Sequence, residues 1–315
     1  MTAVIADARP ASRRDDVIHR RFRAMGTQGS VVVVGAPAEV AAGAVEEIAR
    51  LEARWTRFRA DSDLMRLALG AGAAHAVDPS TVALITAMRD GWHATGGDFD
   101  PSVLPALLGI GYDRSLVDGA PAPSLPHGAR SRHDLDLIRI EGDAVALPHG
   151  MALDPGGIGK GLAADLVAER LIESGARGAL VEIGGDVRAR GESPDGTAWR
   201  IRVADPVDAR TDAALVRIVE GAVATSSQRR RRFRGADGVE RHHIIDPRTG
   251  GSADSSVQSA TVIAATAAAA EVLTKPAFVR EPGAYLAWLE GLGAQGMLID
   301  AAGARSTTTG WQEFS

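Results

Sequence analysis

Between residues 38 and 55 apolar side chains return every three or four positions, with Val40, Ala44, Ile48, Leu51 and Trp55 forming one stripe. That is the spacing of a helix with one buried face. The same period predicts a second helix from Ser80, as N-cap, to His93, with Val82, Ile85, Met88 and Trp92 inward. Short apolar or β-branched runs predict strands from Ser30 to Val34, Ala144 to Leu153, Ala179 to Ile183, Arg200 to Ala204, Val216 to Val219, Ala222 to Ser226, Val257 to Ala264 and Met297 to Asp300. Further helices are expected with Leu162, Leu166, Val167 and Leu171 on one face, from about Thr266 to Leu273, and from Tyr285 to Leu292. Strands that follow one another without helices, mixed with strand–helix units, imply an α+β fold rather than a doubly wound one. Residues 1 to about 19 are polar and aperiodic and read as a loose arm, and residues 115–135, rich in Pro and Gly, as a loop-rich connection.

Composition removes several classes of function. The 315 residues carry 35 basic and 40 acidic side chains, a net charge of −5, which disfavours a nucleic-acid binder relying on excess positive charge. There is no Cys, so thiol nucleophiles, disulfides, zinc–thiolate sites and iron–sulfur clusters are excluded. No window reaches the roughly 18–20 apolar residues of a membrane span. The first arginines precede no apolar stretch, so neither a secretory signal nor a lipobox is visible and a cytoplasmic location is expected. Among the basic residues only Lys160 and Lys275 are lysine. Either the two survive by chance, or they stand where a compact ammonium fits and a planar guanidinium does not.

Three segments carry candidate chemistry. Asp154-Pro155-Gly156-Gly157-Ile158-Gly159-Lys160-Gly161 is a glycine-rich turn from a strand into a helix. Backbone N–H groups in such a turn can approach a phosphate, and the helix N-terminus adds favourable potential. It lacks the Gly and the Ser or Thr of a Walker A loop, and the last Gly of a dinucleotide fingerprint. A tight turn with a surface lysine stays open beside anion binding, which the rarity of lysine favours. Glu182-Ile183-Gly184-Gly185-Asp186 reads first as an ordinary turn after a buried strand. In Arg241-His242-His243-Ile244-Ile245-Asp246-Pro247-Arg248-Thr249-Gly250, His243 at the start of an apolar strand is a general base, a donor to an anion, or a plain strand-end histidine. Zinc is disfavoured, because adjacent His242 and His243 would point to opposite faces of a strand. Asp100 in Phe99-Asp100-Pro101-Ser102 has helix capping as its alternative, and Arg229 to Arg232 with Arg234 read as a solvated hairpin.

The order of these segments resembles the ApbE family, the FAD:protein FMN transferases. The matching stretches are Phe22-Arg23-Ala24-Met25-Gly26-Thr27, Phe58-Arg59-Ala60-Asp61-Ser62-Asp63-Leu64, Phe99 to Val103, Asp154 to Gly161, Glu182 to Val187, Ala224-Thr225-Ser226 and His243 to Gly250. The resemblance implies an α+β fold, with mixed, largely antiparallel sheets and flanking helices, formed as a single domain over residues 20–315. It implies cleavage of the FAD pyrophosphate, transfer of FMN to a Ser or Thr of an acceptor protein and release of AMP, with Mg2+ assisting; some members hydrolyse FAD instead, and a plain FAD-binding module is the competing class. By position, Met25, Phe58, Asp98, Phe99, Asp100, Asp154 and Lys160 would contact FAD, and His243 would lie by the reacting phosphates. Gly157, Glu271 and Thr274 would be the metal ligands.

The chain departs from the family pattern at its alanine-rich helix. The family reads roughly Ala-Asp-Ala-Leu-Ala-Thr-Ala there, with Asp and Thr on magnesium, where this chain has Ala270-Glu271-Val272-Leu273-Thr274-Lys275-Pro276. Lys275 occupies the Thr position and cannot ligate a metal while protonated; Thr274 is the ligand if the register differs by one. Its ammonium is expected to replace part of the metal charge, pairing with Glu271 or with the FAD pyrophosphate. Pro276 is expected to end the helix and bias Lys275 away from helical geometry.

Overall fold

A computed structural model describes residues 16–115, 119–208, 210–235 and 237–315. Most of the stretch read as a loose arm therefore lies outside the described residues, as do residues 116–118 of the loop-rich connection. From Val17, however, the chain is already a strand rather than an arm: His19, Arg20, Arg21 and Arg23 are the exposed positions of Val17–Ala24. The helix Ala38–Trp55 has the predicted bounds. The second predicted helix is Pro79–Thr95, capped by Asp78 rather than Ser80. The Asp78 carboxylate accepts from Ser80 N, and Pro79 takes the first helical position, where a missing N–H costs nothing.

The described chain forms two compact units. The first takes the residues up to Arg50, Lys160–Ser227 and Ser256–Ser315. Its frame is an eight-stranded sheet, in spatial order Val17–Ala24, Thr27–Val34, Gly178–Ile183, Asp186–Gly191, Gly221–Ser227, Val257–Ala264, Gln295–Asp300 and Arg305–Thr307. Every pairing in it is antiparallel, as expected where strands succeed one another through short turns. Alternate residues of a strand face opposite sides. Val32, Val34, Leu180, Val187, Val223, Ile263, Met297 and Ile299 pack from one side against Trp199, Ile201, Val203, Val216 and Ile218 of a separate two-stranded sheet, Trp199–Ala204 with Asp212–Ile218. The helix Ala267–Leu273 packs on Gly221–Ser227 and Val257–Ala264. Thr266 caps it, its side chain accepting from Ala269 N at 3.2 Å.

The second unit takes Leu51–Gly159 and Gln228–Ser255. It holds the short helices Asp63–Leu69 and Leu104–Gly109, the helix Pro79–Thr95 and the hairpin Arg232–Arg234 with Glu240–His242. The expected strand from Ala144 to Leu153 is a strand only over Ala144–Ala146. Leu147, Met151, Ala152 and Leu153 are buried in irregular backbone, so the apolar run reflects burial and not pairing. His243 likewise lies just past a strand that ends at His242. The arginine run forms the expected hairpin, with Arg232 Nε 3.1 Å from Glu240. No helix among the described residues is long and apolar enough to cross a membrane.

Candidate functional site

Met25, Lys160, Glu271 and Thr274 belong to the first unit; Phe58, Asp98, Phe99, Asp100, Asp154, Gly157 and His243 belong to the second.

In the first unit the helix Gly159–Glu173 meets the start of Ala267–Leu273 at Gly161, where a Cβ would lie 2.3 Å from Ala267 O. Only glycine allows that approach. One turn on, the Asp165 carboxylate accepts from Ala267 N and Ala268 N, each at 2.8 Å, fixing the second helix by its free N–H groups. Lys160 is thereby brought onto Glu271. Its ammonium is bonded to both Asp186 and Glu271, and Gly161 N donates to the other Glu271 oxygen at 2.8 Å. The side chains of Asp186 and Glu271 are 3% and 1% exposed, that of Lys160 15%. Burial pushes the Asp186 carboxyl up, reinforced by the charge of Glu271, and the two lysines offset this only in part. Burial acts on Glu271 in the same direction, but the charges of Lys160 and Lys275 with the hydrogen bonds it accepts hold it below the usual range.

Asp186 owes its place to the Gly184-Gly185 turn. Ile183 pairs with Asp186 across it, and φ is +63° and +99° at the two glycines, the positive values a two-residue hairpin requires. The turn reading was right, and the residue closing the turn is also the partner of Lys160. Met25-Gly26 is a second such turn, with φ +53° at Met25, a conformation uncommon for a residue with a Cβ.

Lys275 closes the cluster. Its ammonium donates to Glu271 O at 2.8 Å and to Ser226 Oγ and Thr274 Oγ1 at 3.0 Å each. Thr274 Oγ1 itself donates to Glu271 O at 2.6 Å and lies 2.7 Å from Ser226 Oγ. Pro276 does end the helix, which stops at Leu273, but Lys275 keeps right-handed φ −71° and ψ −42° instead of extended backbone. Its backbone N–H still reaches Val272 O at 3.0 Å, and its side chain folds back onto the last turn. It donates to the backbone carbonyl of Glu271, and its charge also acts on the Glu271 carboxylate, as expected.

Glu182 faces the same region of the sheet, accepting from Gly185 N at 2.8 Å, with Ser30 Oγ 3.5 Å away. Burial pushes its carboxyl from 4.5 up to about 7. The folded protein then binds this proton more tightly than the unfolded chain, so the group lowers stability progressively as pH rises from 4.5 to about 7. Glu182→Gln keeps the acceptor for Gly185 and removes the buried charge. Urea titrations should show the variant more stable than the parent by about 2–3 kcal/mol at pH 8, and the gap should close toward pH 4.5. A gap that stays constant with pH would discard this assignment.

In the second unit two short turns are tied together. Asp100 caps Pro101–Val103 by accepting from Ser102 N at 2.7 Å, and its second oxygen lies 2.5 Å from His133 Nδ1. Asp154 caps Pro155–Gly157 through Gly156 N at 3.1 Å, and Asp154 N donates to Pro101 O at 2.8 Å. Asp154 also faces Arg57 Nε at 3.5 Å. The Arg57 guanidinium sits 4.8 Å from the Phe58 ring centre and 4.7 Å from that of Tyr112, favourable for a buried cation. Tyr112 stacks on Phe233 and is 6.3 Å from the His243 ring. Asp246 holds the next turn, accepting from Arg248 N, Nε and Nη2 at 2.8–3.0 Å. Asp98 is half-buried and its charge acts on Arg248; Gly157 is half-buried, and Phe99 is 4% exposed and belongs to the core.

Asp186, Ser226, Asp165, Arg57 and Tyr112 had no assigned role in the sequence. The available signals were an Asp closing a Gly-Gly turn and a Ser in the Ala224-Thr225-Ser226 stretch.

For the expected metal set the donors are already committed. Each Glu271 carboxylate oxygen already accepts a hydrogen bond, from Lys160 or from Gly161, and Thr274 Oγ1 donates to Glu271 O and accepts from Lys275. Among the described residues no three His, Cys, Asp or Glu side chains converge to hold an ion. A divalent cation fits poorly here, because Lys160 already occupies the Glu271 carboxylate and Lys275 the Thr274 hydroxyl, and each ammonium repels it.

Comparison with known proteins agrees with this architecture. The ApbE family model matches residues 25–298. A protein of Treponema pallidum named FAD:protein FMN transferase is 32% identical over 77% of this chain and 73% of its own length, and one of Salmonella typhimurium with the same name is 30% identical over 79% and 74%. The crystal structure of the ApbE protein from Thermotoga maritima superimposes with a TM-score of 0.83 at 26% identity, covering 95% of this chain and 99% of that one. The antiparallel α+β fold, the ordered glycine turns and the extent of these matches make this chain a member of the ApbE family.

Proposed function

We propose that this protein is an FAD:protein FMN transferase. The observation that carries the reading is the family match over residues 25–298, joined by a relative of that name aligned over most of both chains. In the proposed reaction a Ser or Thr hydroxyl of an acceptor protein attacks the phosphorus on the FMN side of the FAD pyrophosphate. A new P–O bond forms, the bond to AMP breaks, AMP leaves, and the hydroxyl proton passes to His243. We assign Met25, Phe58, Asp98, Phe99, Asp100, Asp154 and Lys160 to FAD contact. The turn that Asp154 caps supports this, because its neighbouring N–H groups and the start of the helix Gly159–Glu173 suit a phosphate. Positive charge near the pyrophosphate favours a transition state that spreads negative charge over it. Magnesium supplies such charge in the family, where by resemblance Gly157, Glu271 and Thr274 match its ligands; in this chain Glu271 and Thr274 are already engaged by Lys160, Gly161 and Lys275.

The test is co-expression with a candidate acceptor, followed by intact-mass measurement. A gain of one FMN on the acceptor supports the proposal. FAD split to FMN and AMP with no label on the acceptor would make the protein a hydrolase, and binding without turnover would make it a flavin-binding module.

A further inference from the structure

We infer that Lys275 is a resident counter-cation: its ammonium, held by Ser226 Oγ, Thr274 Oγ1 and Glu271 O beside the Lys160–Asp186–Glu271 ion pairs, stands as a fixed monocation where a divalent metal would otherwise be held, and makes flavin dinucleotide binding independent of divalent cations. The part that concerns the flavin dinucleotide rests on the proposed function; the part that concerns metal does not.

Three observations support it. First, the three oxygens around Lys275 Nζ are hard donors, two hydroxyls and a carbonyl, at 2.8–3.0 Å. Such a set suits a small hard cation as well as an ammonium. Second, those oxygens are braced before any ligand arrives. Ser226 lies in the paired strand Gly221–Ser227 and Thr274 is the C-cap of the packed helix, the two hydroxyls being 2.7 Å apart. Third, the two buried carboxylates, Asp186 and Glu271, face two ammonium groups, so the formal charges of these four groups balance. Adding a dication would bring uncompensated positive charge into a poorly solvated place, which is unfavourable. With Lys275 removed, the two carboxylates and Lys160 would carry one net negative charge, beside an open position among the three neutral oxygens.

Two sets of measurements read this, both on the full chain. In the first, Mn2+ is titrated into flavin-free protein and free Mn2+ is followed by electron paramagnetic resonance. The parent should leave the Mn2+ signal free, whereas Lys275→Thr should take up one ion at least about a hundredfold more tightly, the scale of one unit charge at contact distance in an effective dielectric near 20. In the second, FAD affinity is measured by fluorescence in EDTA and in excess Mg2+. The parent should change by less than about twofold, Lys275→Met should lose about tenfold or more in either medium, and Lys275→Thr should lose affinity in EDTA and regain it with Mg2+. Circular dichroism melting of each variant separates lost binding from lost fold; should Lys275→Thr not fold, the parent with Mn2+ and Lys275→Met with FAD decide. Tight Mn2+ uptake by the parent, or FAD affinity that the parent loses to EDTA, overturns the inference. Absence of any FAD binding by the parent sinks the proposed function, while the Mn2+ comparison still decides the identity of the cation.

Discussion

Lys160→Met is expected to destabilise the protein by about 3–5 kcal/mol near neutral pH, the usual effect of removing one partner from a buried ion pair. Methionine retains most of the length of the side chain, so the change isolates the charge. Asp186 and Glu271, both almost wholly buried, would lose the ammonium that bonds to both of them. Lys275, whose charge also acts on both carboxylates, is held by Ser226, Thr274 and the Glu271 carbonyl and offsets only part of the loss. The two carboxyls would then repel each other; Asp186, already raised, would rise further, and Glu271 would lose the main charge that holds it down. The deficit should therefore shrink as pH falls toward about 6 and below, as the raised Asp186 carboxyl protonates. Adding Glu271→Gln to Lys160→Met should recover part of the loss. Urea midpoints at two pH values measure all of this. A deficit below about 1 kcal/mol, or one equal at both pH values, would show that the cluster is solvated in a way these burials exclude.

The second large effect is on chemistry. His243→Ala should reduce FMN transfer by roughly 10²- to 10⁴-fold, the range for loss of a positioned acid–base group, with little change in melting temperature. Imidazole is the side chain whose ordinary titration lies nearest neutrality. The neighbouring histidine supplies the control. His242 is buried, its Nε2 donating to Ala253 O at 3.1 Å while Nδ1 accepts from Ile244 N at 3.3 Å, and burial holds its pKa down, so it is a neutral structural group. His242→Ala leaves a buried carbonyl and a buried N–H unsatisfied and should cost about 1–3 kcal/mol of stability. Equal labelling of an acceptor by the parent and His243→Ala would remove His243 from the reaction.

What was legible in the sequence follows a physical line. The helix Ala38–Trp55 and the strand Val257–Ala264 have the bounds read from the pattern, the helix because its apolar positions recur at helical spacing and the strand because a nearly continuous buried run fills it. The run from Ala144 to Leu153 misled because burial alone does not distinguish a strand from packed irregular chain. Asp186 was read as the end of a turn because its partners lie at residues 160 and 271, and no local pattern reports a contact across such distances. The unusual choice of lysine at 160 and 275 was visible; that both ammonium groups serve one carboxylate cluster required the fold. The resemblance named the family, while the packing of Ala267–Leu273 on the helix Gly159–Glu173 decides which oxygens are already taken.

The strand order has a consequence for how this chain reaches its native state. Thr27–Val34 pairs with Gly178–Ile183, Val34 opposite Gly178, so a segment completed early in synthesis must wait for one made much later. Contacts so distant in sequence slow folding, and a hairpin kept waiting offers unpaired edges to other nascent chains. The outer strand of that hairpin, Val17–Ala24, stands at the rim of the sheet and exposes Arg20, Arg21 and Arg23. Charges on a rim strand oppose edge-to-edge association. These arginines, just past the stretch read as a loose arm, thus act as gatekeepers against misassembly during the wait.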